Sequence, residues 1–179
     1  MKAKTTHHRS GAHDLALLVL RVALGAIFIA HGGQKLFWSG IAGTTEAFVG
    51  MGVFLPELTA PAVTIVEFFG GLALVAGLFT RLAAASLAVV MLGAIVMVHL
   101  PAGFFLPNGI EFALMNFSAA VALALLGAGA YSVDGKRAVA RDEARSPAPT
   151  APAGTSATGT SSATGTSPAA GADEGSDVR

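Results

Sequence analysis

Four long apolar runs constrain the fold of this chain more than any other feature of its sequence. They cover residues 15–33, 58–79, 82–100 and 112–131. At about 1.5 Å per residue, each run is long enough as a helix to cross a hydrocarbon core of about 30 Å. The runs lack both the polar stripe of a soluble amphipathic helix and the alternation of a strand. The sequence therefore predicts an all-α fold, a bundle of four transmembrane helices in a lipid bilayer.

Composition supports this prediction and excludes several classes of function. Charged residues make up only 12% of the 179 residues, whereas a soluble domain has about 25%. The net charge of zero gives no indication of nucleic-acid binding. The chain has no cysteine, which excludes thiol exchange and iron–sulfur ligation, and we predict no metal site. Any redox role must therefore use a quinone, a bound cofactor or a partner protein.

The first apolar run follows a polar segment, residues 1–14, and together they resemble a signal peptide. We interpret the run as an uncleaved span, because Arg21 interrupts it and no small-residue cleavage site follows. The short Phe79-Thr80-Arg81 turn predicts an antiparallel hairpin of the second and third helices. Residues 36–57 are too apolar for a solvated loop and too rich in glycine for a span. They are predicted to form an interfacial or re-entrant segment, with Trp38 at headgroup depth.

The distribution of basic residues predicts the orientation of the bundle. An even number of helices places both termini on one side, and the opposite side holds only Lys35. The positive-inside rule then predicts that both termini lie in the cytoplasm. Residues 135–179 are predicted to be a disordered cytoplasmic tail, since from Ser146 the chain is mostly Ser, Thr, Ala, Gly and Pro. The basic residues on the predicted cytoplasmic side are Lys2, Lys4, Arg9, Arg81, Lys136, Arg137, Arg141 and Arg145.

A few polar side chains fall within the predicted spans, where ionisable groups are costly and commonly functional. Counting along the helices places Glu67 near the midplane, with Arg21 closer to the cytoplasmic side. Because small residues flank both, we expect them to face the bundle interior and to form an ion pair, either structural or functional. The candidate intramembrane site comprises Arg21, His31, Lys35, Glu67, His99, Glu111 and Asn116.

His31 and His99 allow three interpretations. Each histidine could bond a nearby carbonyl or interfacial water at a helix end. Alternatively, the pair could handle protons or contact a quinone headgroup, because imidazole titrates near neutral pH. Their matched depth on two helices also permits haem ligation, which we favour least. Glu111 is predicted to begin the fourth helix, where a carboxylate suits the positive end of the helix dipole.

Motifs in all four predicted helices resemble those of the DoxX family. The resemblance covers roughly residues 15–134 and implies a four-helix protein of the bacterial cytoplasmic membrane. Relatives in this family are associated with oxidoreductase systems that handle quinones, sulfur compounds or oxidative stress. The matching motifs are Arg21-x3-Gly25-x2-Phe28-x2-His31-Gly32-x2-Lys35-Leu36, Glu67-x2-Gly70-Gly71-Leu72-x4-Gly77-Leu78-Phe79-Thr80-Arg81, Asn108-Gly109-x-Glu111-x2-Leu114 and Ser132-Val133-Asp134.

Three functional hypotheses follow. The first is a membrane subunit of an oxidoreductase complex, whose polar layer binds a quinone or passes protons. The second is a non-catalytic scaffold that holds partner proteins. The third, less favoured, is a small-molecule transporter, since the helices show no convincing inverted repeat. Glycine-bearing helix faces leave self-association open in each case.

Overall fold

The computed structural model describes residues 11–145, and every regular element in that range is helical. This confirms the predicted all-α class. The α-helices are α1 (Gly11–Gly33), α2 (Gly40–Gly50), α3 (Pro56–Ala76), α4 (Thr80–Ala94), α5 (Glu111–Leu126) and α6 (Val133–Arg145). A π-helical turn extends α1 through residues 34–38 and α4 through residues 95–99, and a 3-10 turn then carries α4 to Ala102.

Helices α1, α3, α4 and α5 pack side by side with neighbours antiparallel. Gly25 of α1 lies against Gly71 of α3, and Gly32 lies against Phe68, so the numbering runs in opposite directions. A Cβ on Gly25 would lie 2.8 Å from the carbonyl oxygen of Gly71. Glycine is needed there because the two backbones approach closely, as is common between helices in membranes.

The bundle core is small in volume and draws on all four of these helices. Leucines and one phenylalanine alternate with alanines, so that large side chains fill the space left by small ones. The core comprises Leu17, Leu24, Phe28, Leu74, Ala84, Leu87, Ala88, Ala120 and Leu123.

The outer surface of the bundle is apolar, which is the reverse of a soluble protein. Val19, Phe69, Leu82, Val89 and Met115 are all exposed. Contiguous apolar surface of this extent is rare on soluble monomers but favourable against lipid. Three helical segments are long and apolar enough to span a bilayer, Gly11–Trp38, Pro56–Ala76 and Thr80–Ala102. The chain is thus a helical membrane protein. Helix α5 is only about 24 Å long, shorter than the hydrocarbon core, so the number of four membrane crossings stays a prediction.

Several boundaries differ from the sequence-based expectation. The first helix includes residues 11–14, ahead of the expected start at residue 15, and continues past residue 33 to Trp38. The third begins at Thr80 instead of residue 82, because the Asp134 carboxylate accepts hydrogen bonds from the amides of Phe79 and Thr80. The fourth was expected to run to residue 131 but ends at Leu126, since Gly127 has φ +85° and breaks the helix.

Residues 135–145 were expected to belong to a disordered tail, and this was wrong. They continue α6, whose alanines, lysine and arginines favour a helix. Asp134 in its first turn and Arg145 in its last both suit the helix dipole. The low hydrophobicity of this segment indicates that it lies outside the apolar core, but it does not indicate disorder. The rest of the predicted tail, residues 146–179, lies outside the described residues, as do residues 1–10.

The predicted interfacial segment contains helix α2, which packs against α3. Its flanks expose large aromatic side chains: Phe37, Phe54 and Trp38, the last 90% exposed. Aromatic side chains of this kind are typical of membrane interfaces. The depth of the segment in the membrane stays a prediction.

Candidate intramembrane polar site

Arg21 lies almost fully buried in α1, at 1% exposure, and its partners are backbone carbonyls. Its guanidinium donates to the carbonyl oxygen of Ala128 and, at 2.7 Å, to that of Tyr131. Both carbonyls belong to the irregular segment after α5. The guanidinium also packs against Gly77, where a Cβ would lie 2.8 Å from Nη1. Arg21 therefore ties α1 to the chain that leaves α5.

The expected ion pair between Arg21 and Glu67 is absent, and helix geometry explains the error. Side chains on a helix lean toward its N-terminus, and α1 and α3 are antiparallel. Arg21 leans toward the start of α1, whereas Glu67 leans toward the start of α3, at the other end of the bundle. Phe68 packs on Gly32, so Glu67 lies about 16 Å along the bundle from Arg21.

Two aspartates complete the cluster around Arg21, which we call the terminal cluster (Asp14, Arg21, Asp134 and residues 127–132). Asp14 Oδ1 accepts from the amide of Ala130 at 3.0 Å. The Asp134 carboxylate accepts from Phe79 and Thr80 at 3.0 and 2.8 Å. Sequence reasoning missed both aspartates as partners, because they lie in segments interpreted as polar ends. The only signal was the Ser132-Val133-Asp134 motif at the exit of the last apolar run.

Glu67 pairs with Lys35, which sequence reasoning identified as a site residue but not as its partner. Lys35 Nζ lies 2.6 Å from Glu67 Oε2, and the two side chains are 22% and 5% exposed. The leaning argument predicts this contact, since Lys35 of α1 and Glu67 of α3 lean toward each other. Lys35 lies in the π-helical turn that ends α1, and such turns occur often at functional sites.

Other groups surround the Lys35–Glu67 pair. Lys35 Nζ also lies 3.5 Å from the carbonyl oxygen of His31. The exposed His31 ring packs against Phe112 of α5, with centroids 6.1 Å apart. Buried Thr44 of α2 donates to Gly40 O at 2.8 Å and lies 3.4 Å from Lys35 O. The pair is therefore placed where α1, α2 and α3 meet.

The remaining predicted site residues, His99, Glu111 and Asn116, form hydrogen bonds with partners other than this pair. His99 Nδ1 lies 2.9 Å from the carbonyl oxygen of Asn108, as the helix-end interpretation expected. Glu111 begins α5, as predicted, and its Oε1 accepts from the amide of Leu106 at 2.7 Å. Buried Asn116 donates to Phe112 O, one turn earlier in α5. His99 and Glu111 thus close the loop between α4 and α5.

The described residues show no group of three or more histidine, cysteine or acidic side chains that could hold a metal ion. Residues 11–145 instead combine lipid-facing apolar helices with a few buried charges that have specific partners, and Arg21 Nε is the one buried charged-group nitrogen without a partner among these residues. These features define a helical integral membrane protein with an internal polar site.

Comparison with known proteins identifies the family. The DoxX family model matches residues 16–100. A Bacillus subtilis (strain 168) protein named "Putative oxidoreductase CatD" is 33% identical over 121 residues, covering 68% of this chain and 86% of that protein. The chain belongs to the DoxX family, as its motifs indicated.

Two Escherichia coli (strain K12) proteins, both named as inner membrane proteins, are also similar. YphA is 33% identical over 130 residues, covering 69% of this chain and 91% of that protein. YqjF is 40% identical over 68 residues, covering 38% of this chain and 49% of that protein. No solved structure gives a significant match.

Proposed function

We propose that this chain is the membrane subunit of an oxidoreductase complex and that the Lys35–Glu67 pair binds the headgroup of a quinone. The observation that carries the proposal is a 2.6 Å ion pair between the buried Glu67, in the middle of α3, and the partly buried Lys35, in the turn that ends α1. Intramembrane ion pairs are costly and commonly mark proton or ligand sites. A relative named as an oxidoreductase supports the same class of chemistry.

The residues present fit a quinone headgroup. Lys35 Nζ can donate a hydrogen bond to a carbonyl oxygen, and the Glu67 carboxylate can accept or release a proton. Phe37 and Phe68, with ring centroids 5.5 Å apart, supply an aromatic surface beside the pair. A bound quinone would supply the capacity to accept electrons and protons. The electrons would come from a partner protein, since this chain has no cysteine.

We further propose four membrane crossings with both termini in the cytoplasm of a bacterial cell. Within residues 11–145, the bundle end that holds the turn between α3 and α4 carries Arg81 and the basic residues of α6, and the opposite end carries Lys35. The positive-inside rule assigns the richer end to the cytoplasm. Single cysteines can test this in the natural cysteine-free chain. An impermeant maleimide should label Ala102→Cys, at an exposed position, in intact spheroplasts and Ala140→Cys only after lysis; the reverse pattern would overturn the orientation.

Trp38, the only tryptophan, provides a direct assay for the quinone site. It lies three residues beyond Lys35, so a quinone bound at the pair should quench its fluorescence. We expect the short-chain naphthoquinone menadione to quench it saturably in detergent-solubilised protein. Glu67→Gln should weaken binding at least about tenfold, as expected for losing a charge-assisted hydrogen bond of about 1.5–3 kcal/mol.

Glu57→Gln is the matched control, because Glu57 is exposed on the same helix. It should leave the menadione titration unchanged. If menadione quenches Trp38 fluorescence in Glu67→Gln as strongly as in the natural chain, the pair only holds α1 and α3 together. The scaffold hypothesis would then replace the quinone site. Loss of menadione binding in both variants would also contradict the proposal, because it would show no dependence on the pair.

A further inference from the structure

A second polar feature lies at the opposite end of the bundle from the Lys35–Glu67 pair. A cleft of about 410 Å³ opens between the start of α4, the end of α5 and helix α6. Three arginines from two helices line it, Arg81, Arg137 and Arg141. Arg81 also packs over Gly127, where a Cβ would lie 3.1 Å from its Nε. The cleft is therefore built from segments that the terminal cluster holds in place.

The three arginines of this cleft outnumber the one acidic residue that lines it, Asp134. Within residues 11–145, none of the three forms an ion pair with a carboxylate. Asp134 is the acidic residue of the cleft lining, and its two oxygens accept from the amides of Phe79 and Thr80. Three positive charges converge here against the single negative charge of Asp134, and this excess favours an anionic ligand.

The N-terminus of α4 lines the same cleft and adds unused donors. The amides of Arg81 and Leu82 have no intrahelical acceptor in the first turn, and no other acceptor is present for them within residues 11–145. Thr80 is 1% exposed, and its buried hydroxyl has no hydrogen-bond partner among the described residues. A helix N-terminus with free amides is a favourable site for a phosphate group.

The rim of the cleft decides which phosphate is favoured. Phe79 and Leu82 line the cleft and are 64% and 70% exposed, facing outward with the lipid-contacting surface. A free anion gains nothing from contact with this apolar rim. A phospholipid can instead pack its acyl chains against the rim while its phosphate lies among the arginines. We infer that this cleft binds the headgroup phosphate of an anionic phospholipid.

Native mass spectrometry of the purified full chain in detergent can test this inference. Phosphatidylglycerol is the probe, phosphatidylcholine tests the dependence on net charge, and inorganic phosphate tests a free anion. We expect retained phosphatidylglycerol at concentrations where phosphatidylcholine is lost, and millimolar inorganic phosphate should not displace it. Equal retention of both lipids, or displacement by inorganic phosphate, would overturn the inference.

A pair of double variants on α6 separates the cleft from diffuse attraction. Arg137→Gln/Arg141→Gln should weaken phosphatidylglycerol binding about tenfold or more, because each basic side chain near a lipid headgroup contributes severalfold. Lys136→Gln/Arg145→Gln removes the same charge from the same helix outside the cleft and should change binding less than about twofold. Equal weakening in the two double variants would contradict a defined site. Arg81→Gln, on α4, provides a second test that does not depend on the folding of α6.

Discussion

The two ends of the bundle bury charge in different ways. In the terminal cluster, Arg21 donates to the backbone carbonyls of Ala128 and Tyr131, which stay acceptors at any pH. At the other site, Lys35 contacts Glu67, a partner that can gain or lose a proton. The first arrangement fixes chain segments, and the second can respond to a ligand or to protonation. We therefore propose a structural role for the terminal cluster and a ligand-binding role for the Lys35–Glu67 pair.

This contrast follows from helix direction and not from the identity of the charged residues. Arg21 and Glu67 both face the interior, but antiparallel packing makes them lean apart. Arg21 and Glu67 therefore have separate partners, toward opposite ends of the bundle. A structural charge and a chemical one should therefore differ in how much their removal changes the free energy of unfolding.

Arg21→Met should have the largest effect. It leaves two buried carbonyls without a donor, and hydrogen bonds to a charged group contribute about 1.5–3 kcal/mol each, so we expect a loss of about 3 kcal/mol. Sodium dodecyl sulfate-induced unfolding in mixed micelles measures this. Lys136→Met, at an exposed lysine of α6, is the control and should change stability by less than about 0.5 kcal/mol. A loss for Arg21→Met no larger than the control would show that the terminal cluster is not structural.

Gly32→Ala tests the close packing of α1 against α3 in the region between the two polar sites. A Cβ at Gly32 would overlap the backbone of Phe68, so α1 and α3 must separate. We expect a loss of about 2 kcal/mol, as for overpacked cores. Gly33→Ala is the matched neighbour, because its Cβ would meet only the rings of Phe68, at 3.7 Å, and Phe37, at 4.0 Å, which are ordinary contacts. Because Gly→Ala by itself favours a helix, Gly33→Ala should not lose stability, and equal stability of the two variants would show that close packing at Gly32 is not limiting.

Asp134→Ala should cost about 1 kcal/mol, the usual value for a lost helix cap. Its carboxylate accepts from Phe79 and Thr80 at the start of α4, so the variant should fray the turn between α3 and α4. Amide hydrogen exchange should quicken at these two residues. Asp142→Ala, at an exposed aspartate of α6, should leave their exchange unchanged. Unchanged exchange in Asp134→Ala would refute the capping role.

Much of this arrangement could be predicted from the sequence. The apolar runs indicated the all-α class, and the small residues near Arg21 and Glu67 indicated that both charges face inward. The pairing was mispredicted because counting residues gives depth along a helix but not the direction in which a side chain leans. His99 and Glu111 were grouped with the pair for the same reason, since depth alone does not separate a loop-closing contact from a site. The helix at residues 133–145 was missed because its polar composition resembles that of a solvated tail.

The smallest expected effect gives the sharpest test of the contrast. Lys35→Met/Glu67→Met replaces both members of the ion pair with apolar side chains. Replacing a whole buried pair is often neutral, so we expect a stability within about 1 kcal/mol of the natural chain. Lys35→Met alone should cost more, because it leaves the Glu67 carboxylate buried without its counter-charge. No equivalent rescue exists for Arg21, since its partners are backbone carbonyls that substitution cannot remove. A stable double variant that no longer binds menadione would show that the pair is kept for chemistry, whereas a large loss of stability would make it a structural lock like Arg21.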